Sequence, residues 1–155
     1  MAKKEGDTVD PIVNITVFGK KKFTKKLDDI GGTASLYWGE HFFWNAKNKD
    51  KEEIENERIL IEVKDHRYII SDSLIGTYEM DLTYVYFQEK HALIHKWICL
   101  ANSESKQFQS VRGYLKFGVS VIAVGDEQVD LTIPEIGETK DTDLLLPPQI
   151  QTEAA

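Results

Sequence analysis

Apolar and polar residues alternate along most of this chain with a period of two, the pattern of a strand with one buried face. In residues 11–18, for example, Val13, Ile15 and Val17 are separated by polar residues. The alternation predicts six or seven strands. The predicted segments are residues 11–18, 21–27, 40–44, 59–64, 73–82, 93–100 and 113–124.

The connections between these segments carry turn and loop residues. Gly19 and Lys20 predict a tight turn that joins the first two strands into a hairpin. Residues 45–57 are strongly polar and predict a solvated loop with one helical turn, and residues 83–90 predict a helical connection. Because β-branched and aromatic residues dominate the strands, the sequence predicts an all-β, antiparallel sandwich.

The composition is that of one soluble globular domain, with 155 residues, 41% hydrophobic and 29% charged. Apolar runs fall short of the ~20 residues that cross a bilayer, so neither a transmembrane segment nor a signal peptide is expected. Cys99 is the only cysteine and lies in an apolar run, which indicates a buried thiol and a reducing, cytoplasmic compartment. Catalytic motifs are absent from the sequence, so we expect no enzyme activity.

The charge is distributed unevenly. The net charge of −7 argues against a nucleic-acid partner, yet residues 1–27 hold seven lysines and three acids. Five of these lysines lie in the predicted hairpin: Lys20, Lys21, Lys22, Lys25 and Lys26. Two interpretations stay open for them. Either the lysines bind anionic phospholipid head groups, or they form a solvated hairpin whose charges keep another strand from pairing with the edge of the sheet.

The composition changes after residue 125, where eight acids stand against one lysine and prolines appear. This change predicts a domain over residues 9–125 and an acidic tail or linker over residues 126–155. Three adjacent leucines are unusual in a free tail. We therefore expect Leu144, Leu145 and Leu146 to bind the domain or a partner.

Five short motifs follow one another along the first half of the chain. They are DPIV at residues 10–13, GKKKFTK at 19–25, YWGEHFFW at 37–44, ILIEVKD at 59–65 and LIG at 74–76. Their order resembles that of a C2 domain. The resemblance implies an antiparallel C2-type β-sandwich of about seven to eight strands, acting as a binding module.

Four later motifs narrow the resemblance. They are GTYEMDL at residues 76–82, HALIHKWICL at 91–100, RGYLK at 112–116 and TDLLLP at 142–147. This series is similar to the second C2 domain of ferlins and to the start of the segment that follows it. The family implies a further strand before Asp10, whereas residues 1–9 are polar. That first strand is therefore expected to be missing, or to be supplied by the C-terminal tail or another chain pairing along the edge.

The resemblance also locates the loop aspartates with which C2 domains bind calcium. Asp10 and Asp65 match two of the five positions, while the other three fall on Lys4, Arg67 and Ser73. Asp72 lies close by and is a further candidate ligand, as is Asp7. The resemblance therefore implies a degenerate calcium site at Asp10, Asp65 and Asp72, with weak or no calcium binding and no other cofactor.

Two further groups of residues are candidate sites. Tyr68, Ile69 and Ile70 fall in the loop that touches membranes in C2 domains, so they either insert into a bilayer or pack against the protein. His91 and His95 have the spacing of a helical metal site, but in a strand four residues span ~13 Å. We expect no metal at these histidines.

The sequence thus favours a ferlin-type C2 module, cytoplasmic and peripheral to membranes, that binds anionic lipid or trafficking partners with little calcium dependence. The alternative is a structural C2 domain fixed in a larger cytoskeletal or axonemal assembly through its edge strand and tail. Vesicle binding distinguishes these two hypotheses.

Overall fold

The computed structural model describes residues 8–25, 30–31, 37–65, 73–102, 110–134 and 144–145, and structural statements below refer to these residues. The strands are β1 (Thr8–Val9), β2 (Pro11–Val17), β3 (Lys20–Phe23), β4 (Ile30–Gly31), β5 (Arg58–Asp65), β6 (Ser73–Asp81), β7 (Ala92–Asn102), β8 (Ser110–Ser120) and β9 (Leu144–Leu145). The helices are α1 (Lys51–Glu55) and α2 (Leu82–Tyr86), and a further helical turn covers Glu89–His91. The predicted all-β class is confirmed.

The main sheet has the strand order β3-β2-β5-β6-β7-β8, with antiparallel neighbours throughout, and it curls into a half-barrel. β1 and β4 form a separate pair, so Thr8 and Val9 are extended although the polar N-terminal sequence did not predict a strand there. β9 pairs in parallel with β7 opposite Trp97 and Ile98. Since β8 lies along one edge of β7, β9 occupies the edge that faces β6.

The predicted hairpin of β2 and β3 forms, but its turn lies one residue earlier than expected. Val17 pairs with Lys20, so the two loop residues are Phe18 and Gly19. Both have positive φ, 52° and 72°, which is the type I′ geometry that matches strand twist. The prediction of Gly19 and Lys20 was wrong because phenylalanine is an uncommon residue in the left-handed region.

Both helical connections agree with the sequence. α1 lies in the polar segment, and its N-cap Asp50 forms a capping box with Glu53, in which each side chain accepts the other's backbone N–H. α2 follows β6 directly and buries Leu82 and Val85.

The core lies on the concave side of the half-barrel. Alternate residues of β2 and β5 face it, as the period of two predicts, and Met80 of β6 and Ile98 of β7 are fully buried there. The buried apolar core consists of Val13, Val17, Ile59, Ile61, Val63, Tyr78, Met80, Leu82, Val85, Leu93, Ile98, Leu100 and Leu145. Cys99 beside it is half-buried and carries a free thiol.

Residues 126–134 extend back along the sheet. The Tyr37 hydroxyl donates to the Ile133 carbonyl oxygen at 2.6 Å, and a ring nitrogen of His95 lies 2.7 Å from the Thr132 carbonyl oxygen. Leu131 lies against Gly118 of β8, where an added Cβ would stand 3.2 Å from the leucine Cβ. This first part of the acidic C-terminal segment is therefore in contact with the sheet.

Candidate functional site

The densest group of predicted site residues lies at the edge of the sheet. β3 is the terminal strand on the β2 side, and it carries Lys20, Lys21 and Lys22, with Lys25 two residues beyond its end. We call these four residues the lysine surface. Lys20, Lys21 and Lys25 are exposed and Lys22 is half-buried. Lys26, the fifth predicted lysine, lies outside the described residues.

Two of the four ammonium groups have a partner among the described residues. Lys21 Nζ lies 3.9 Å from a carboxylate oxygen of Glu62 on β5. Lys22 Nζ donates to the Phe43 carbonyl oxygen and stands 5.0 Å from the centre of the Trp44 ring. The first contact is largely solvated and contributes little to stability. The lysine surface therefore keeps most of its positive charge available to an external anion.

Residues 40–44, predicted as a strand, form no backbone ladder in the described structure, and that prediction was wrong. The segment instead runs along the free edge of β3 through side-chain contacts. The indole N–H of Trp44 donates to the Lys20 carbonyl oxygen at 3.0 Å. A Glu40 carboxylate oxygen accepts the Lys25 backbone N–H at 2.8 Å. Trp44 contacts Lys20 and Glu40 contacts Lys25, so residues 40–44 run antiparallel to β3.

Side-chain burial varies along residues 38–44 much as it does in a strand, although these residues form no backbone ladder. Trp38, Phe42 and Trp44 are half-buried, whereas Phe43 points to solvent. On β3, Phe23 is likewise exposed. Two phenylalanine rings thus flank the lysine surface. Neither ring was predicted to be exposed from the sequence, where Phe23 follows three lysines and Phe43 lies between Phe42 and Trp44.

The calcium-loop candidates that the structure describes are Asp10 and Asp65, where β2 begins and β5 ends. Pro11 pairs with Asp65 in register, and an Asp65 carboxylate oxygen accepts the Asp10 backbone N–H at 3.1 Å. Asp65 is 1% exposed. A carboxylate this buried and engaged with the backbone supports the join between the two strands.

Among the described residues, no group of three or more His, Cys, Asp or Glu side chains is placed to hold a metal ion. Asp72 and the loop residues Tyr68, Ile69 and Ile70 lie outside the described residues, as do Lys4, Asp7 and Arg67.

The two histidines singled out in the sequence have separate surroundings. His91 stacks on Tyr86 with 4.1 Å between ring centres, and its Nε2 lies 3.7 Å from an Asp126 carboxylate oxygen. His95 lies in β7 and contacts the Thr132 backbone. Hydrogen bonds from the backbone and side chain of Thr132 lower the pKa of Asp130, and nearby histidines add a smaller effect.

Of the three C-terminal leucines, Leu144 and Leu145 form β9. The Leu145 side chain is buried in the core beside β7, so it packs against its own domain. Leu146 lies outside the described residues.

An antiparallel sheet that curls into a half-barrel around one apolar core is consistent with the β-sandwich of a C2 domain. The sequence model of the C2 domain family matches residues 1–100, so the chain belongs to that family. It is 31% identical over 122 residues to myoferlin of Xenopus tropicalis and 30% identical over 122 residues to human myoferlin. Each match covers 79% of this chain and 6% of the relative, so the chain spans a small part of those proteins.

A solved structure of extended-synaptotagmin 2, comprising its SMP, C2A and C2B domains, shares the fold. The TM-score is 0.53 at 18% identity, covering 74% of this chain and 22% of that one. None of the helices in the described structure has the length and apolarity to cross a membrane.

Proposed function

We propose that this chain is a non-enzymatic ferlin-type C2 module, equivalent to the second C2 domain of ferlins, that binds anionic membranes with weak or no calcium dependence. One observation carries the proposal: Lys20, Lys21 and Lys25 are exposed together at the sheet edge of a chain whose net charge is −7. Each lysine near an anionic surface contributes about 1 kcal/mol of attraction. A local positive surface on an acidic protein favours one orientation toward the bilayer.

The expected calcium independence follows from the chemistry of the loops. Calcium needs six to eight oxygen ligands, and the described loop ends offer Asp10 and the buried Asp65. With two carboxylates at that end among the described residues, the proposal assigns the membrane affinity to another surface. The lysine surface is the obvious source.

Co-sedimentation with vesicles tests the proposal. Vesicles of phosphatidylserine with a phosphoinositide are compared with neutral phosphatidylcholine vesicles, each with calcium or with chelator. We expect binding to the anionic vesicles alone, similar in both conditions. The triple variant K20Q/K21Q/K25Q should bind on the order of 100-fold more weakly, since about 3 kcal/mol is removed. Lys22 is left intact because it contacts Trp44.

The matched control is K47Q/K51Q/K90Q, which removes three exposed lysines elsewhere and makes the same change in net charge. It should lose much less affinity than the first variant. Equal loss in the two variants would mean that total charge, not the lysine surface, governs binding. Binding that depends strongly on calcium would contradict the proposed independence, and no binding to any vesicle would exclude the membrane role.

The alternative proposal is a structural C2 domain held in a larger assembly. One observation favours it: in the described structure β8 is the last strand of the sheet, 11 residues long, and its Tyr114 is exposed. A long terminal strand is suited to pairing with an added chain. Absence of vesicle binding together with stable incorporation into such an assembly would support this role.

A further inference from the structure

We infer that Phe23 and Phe43 insert into the interfacial region of an anionic bilayer, so that the domain docks by its β3 edge. The inference rests on the proposed membrane role and adds to it the apolar residues and the orientation. Phe23 is 62% exposed and Phe43 is 67% exposed, although phenylalanine is usually buried. Single exposed rings are common on proteins, but of these two one lies on a cationic strand and the other lies beside it.

The backbone register fixes which way Phe23 points. On β3, Phe23 pairs with Asn14 and Lys21 pairs with Thr16, so these residues share the convex face of the sheet. Val13 and Val17, which alternate with Asn14 and Thr16 along β2, face the opposite side of the sheet and line the core. Phe23 and Lys21 therefore project from the convex face together.

Phe43 is held beside the same strand by neighbouring contacts. Its carbonyl oxygen accepts the Lys22 ammonium, and the next residue, Trp44, is bonded to the Lys20 carbonyl. Trp44 and Phe42 turn toward the protein, so the ring between them is directed outward. The backbone that carries Phe43 is thus anchored at two points while its side chain stays in solvent.

Charge identifies the occupant of this surface. The lysine surface has four cations, and among the described residues the acids in contact with it are Glu62, paired with Lys21, and Glu40, which accepts the Lys25 backbone N–H. The net local charge is positive and complements an anionic layer. Aromatic rings beside lysines suit the boundary between head groups and acyl chains, because the rings leave water while the ammonium groups stay at the phosphates. An acidic protein surface would attract the lysines but would offer the rings no such layer.

Salt separates the two contributions. At about 0.1 M salt the screening length is about 10 Å, and at 1 M it falls to about 3 Å, so lysine attraction fades while ring insertion persists. The experiment measures binding of the full chain to phosphatidylserine and phosphoinositide vesicles at both salt concentrations. The variants are F23S/F43S, the conservative F23L/F43L, and the control F87S. Phe87 lies just after α2 and is 78% exposed, so this control removes an equally exposed ring elsewhere.

The wild type should keep a salt-resistant fraction of its binding. We expect F23S/F43S to lose about tenfold or more in affinity at both salt concentrations, since the buried apolar area that is removed is not screened by salt. F23L/F43L and F87S should bind nearly as the wild type does. Thermal melting of each variant checks folding, and both substituted rings are exposed, so it should change little.

The outcomes distinguish this inference from the proposed function. If F23S/F43S matches the wild type at both salt concentrations while K20Q/K21Q/K25Q loses binding, the lysine surface stands and the insertion is wrong. An equal loss in F87S would also overturn the insertion at the β3 edge. If the wild type binds an acidic protein surface but no vesicle, both the insertion and the membrane role fail.

Discussion

The indole N–H of Trp44 lies 3.0 Å from the carbonyl oxygen of Lys20 and donates a hydrogen bond to it. A terminal strand normally exposes such carbonyls to any strand that approaches. Here a side chain occupies one of them, and its ring also receives the Lys22 ammonium at 5.0 Å. One tryptophan therefore occupies a carbonyl at the edge of β3 and contacts the Lys22 side chain that β3 carries.

Replacing Trp44 by phenylalanine tests this double role. Trp44→Phe removes the hydrogen bond, which contributes about 1 kcal/mol, and weakens the cation–π contact by a fraction of that. We expect the free energy of unfolding to fall by about 1 kcal/mol in urea titration and vesicle affinity to fall modestly. If stability and affinity were both unchanged, the contacts of Trp44 with Lys20 and Lys22 would contribute neither to folding nor to vesicle binding.

Glu40 is expected to oppose binding to anionic membranes, because its carboxylate lies at the lysine surface. Glu40→Gln removes the charge but keeps an oxygen that can accept the Lys25 backbone N–H. Affinity for anionic vesicles should rise by roughly fivefold, corresponding to about 1 kcal/mol. The control is Glu89→Gln, an exposed glutamate just before β7. If both variants gain equally, the effect is one of net charge.

Asp65 is expected to support folding in the same way with and without calcium. Its buried carboxylate accepts the Asp10 backbone N–H, so Asp65→Ala leaves that donor without this acceptor and should cost about 1–3 kcal/mol. Asp10→Ala keeps the backbone donor and should cost less. Melting temperatures in calcium and in chelator provide the measurement. A loss for Asp65→Ala that appears only in calcium would identify Asp65 as a ligand.

The strands were predictable where their periodicity is local. Ile59, Ile61 and Val63 alternate within β5, and burial follows that alternation. Residues 40–44 alternate too, but whether they pair as a strand depends on their contacts with the edge of β3. There, side-chain hydrogen bonds of Trp44 and Glu40 take the place of a backbone ladder. A sequence does not reveal that choice because it depends on a contact between distant segments.

The candidate site was predictable in its charge and not in its apolar part. Consecutive lysines in a hairpin indicate a cationic surface from the sequence alone. Phenylalanine is usually a core residue. Only the register of β3 and the contacts of residues 40–44 show that the side chains of Phe23 and Phe43 face outward. The domain boundary after residue 125 stays a prediction, and residues 126–134 contact the sheet.

Gly76 is expected to tolerate no side chain. It lies in β6 opposite Val63, and a Cβ added there would stand 2.8 Å from the Leu100 Cβ of β7. Gly76→Ala therefore forces apart two strands that pair at Thr77 and Ala101, and it should cost about 1–3 kcal/mol. Gly113→Ala is the matched control, because no atom lies within 4 Å of its added Cβ. Equal unfolding free energies for the two variants would contradict this close approach.

Leu145 is expected to stabilise the domain although it is distant in sequence from the other core residues. Its side chain is 7% exposed and its backbone pairs with Ile98, which is fully buried. Leu145→Ala should lower the free energy of unfolding by about 2–3 kcal/mol, because it removes a buried side chain and leaves a cavity. Ile122→Ala, at a residue 52% exposed, should cost well under half of that. If Leu145→Ala melts like the wild type, β9 is not part of the folded core in solution, and these leucines remain available to a partner.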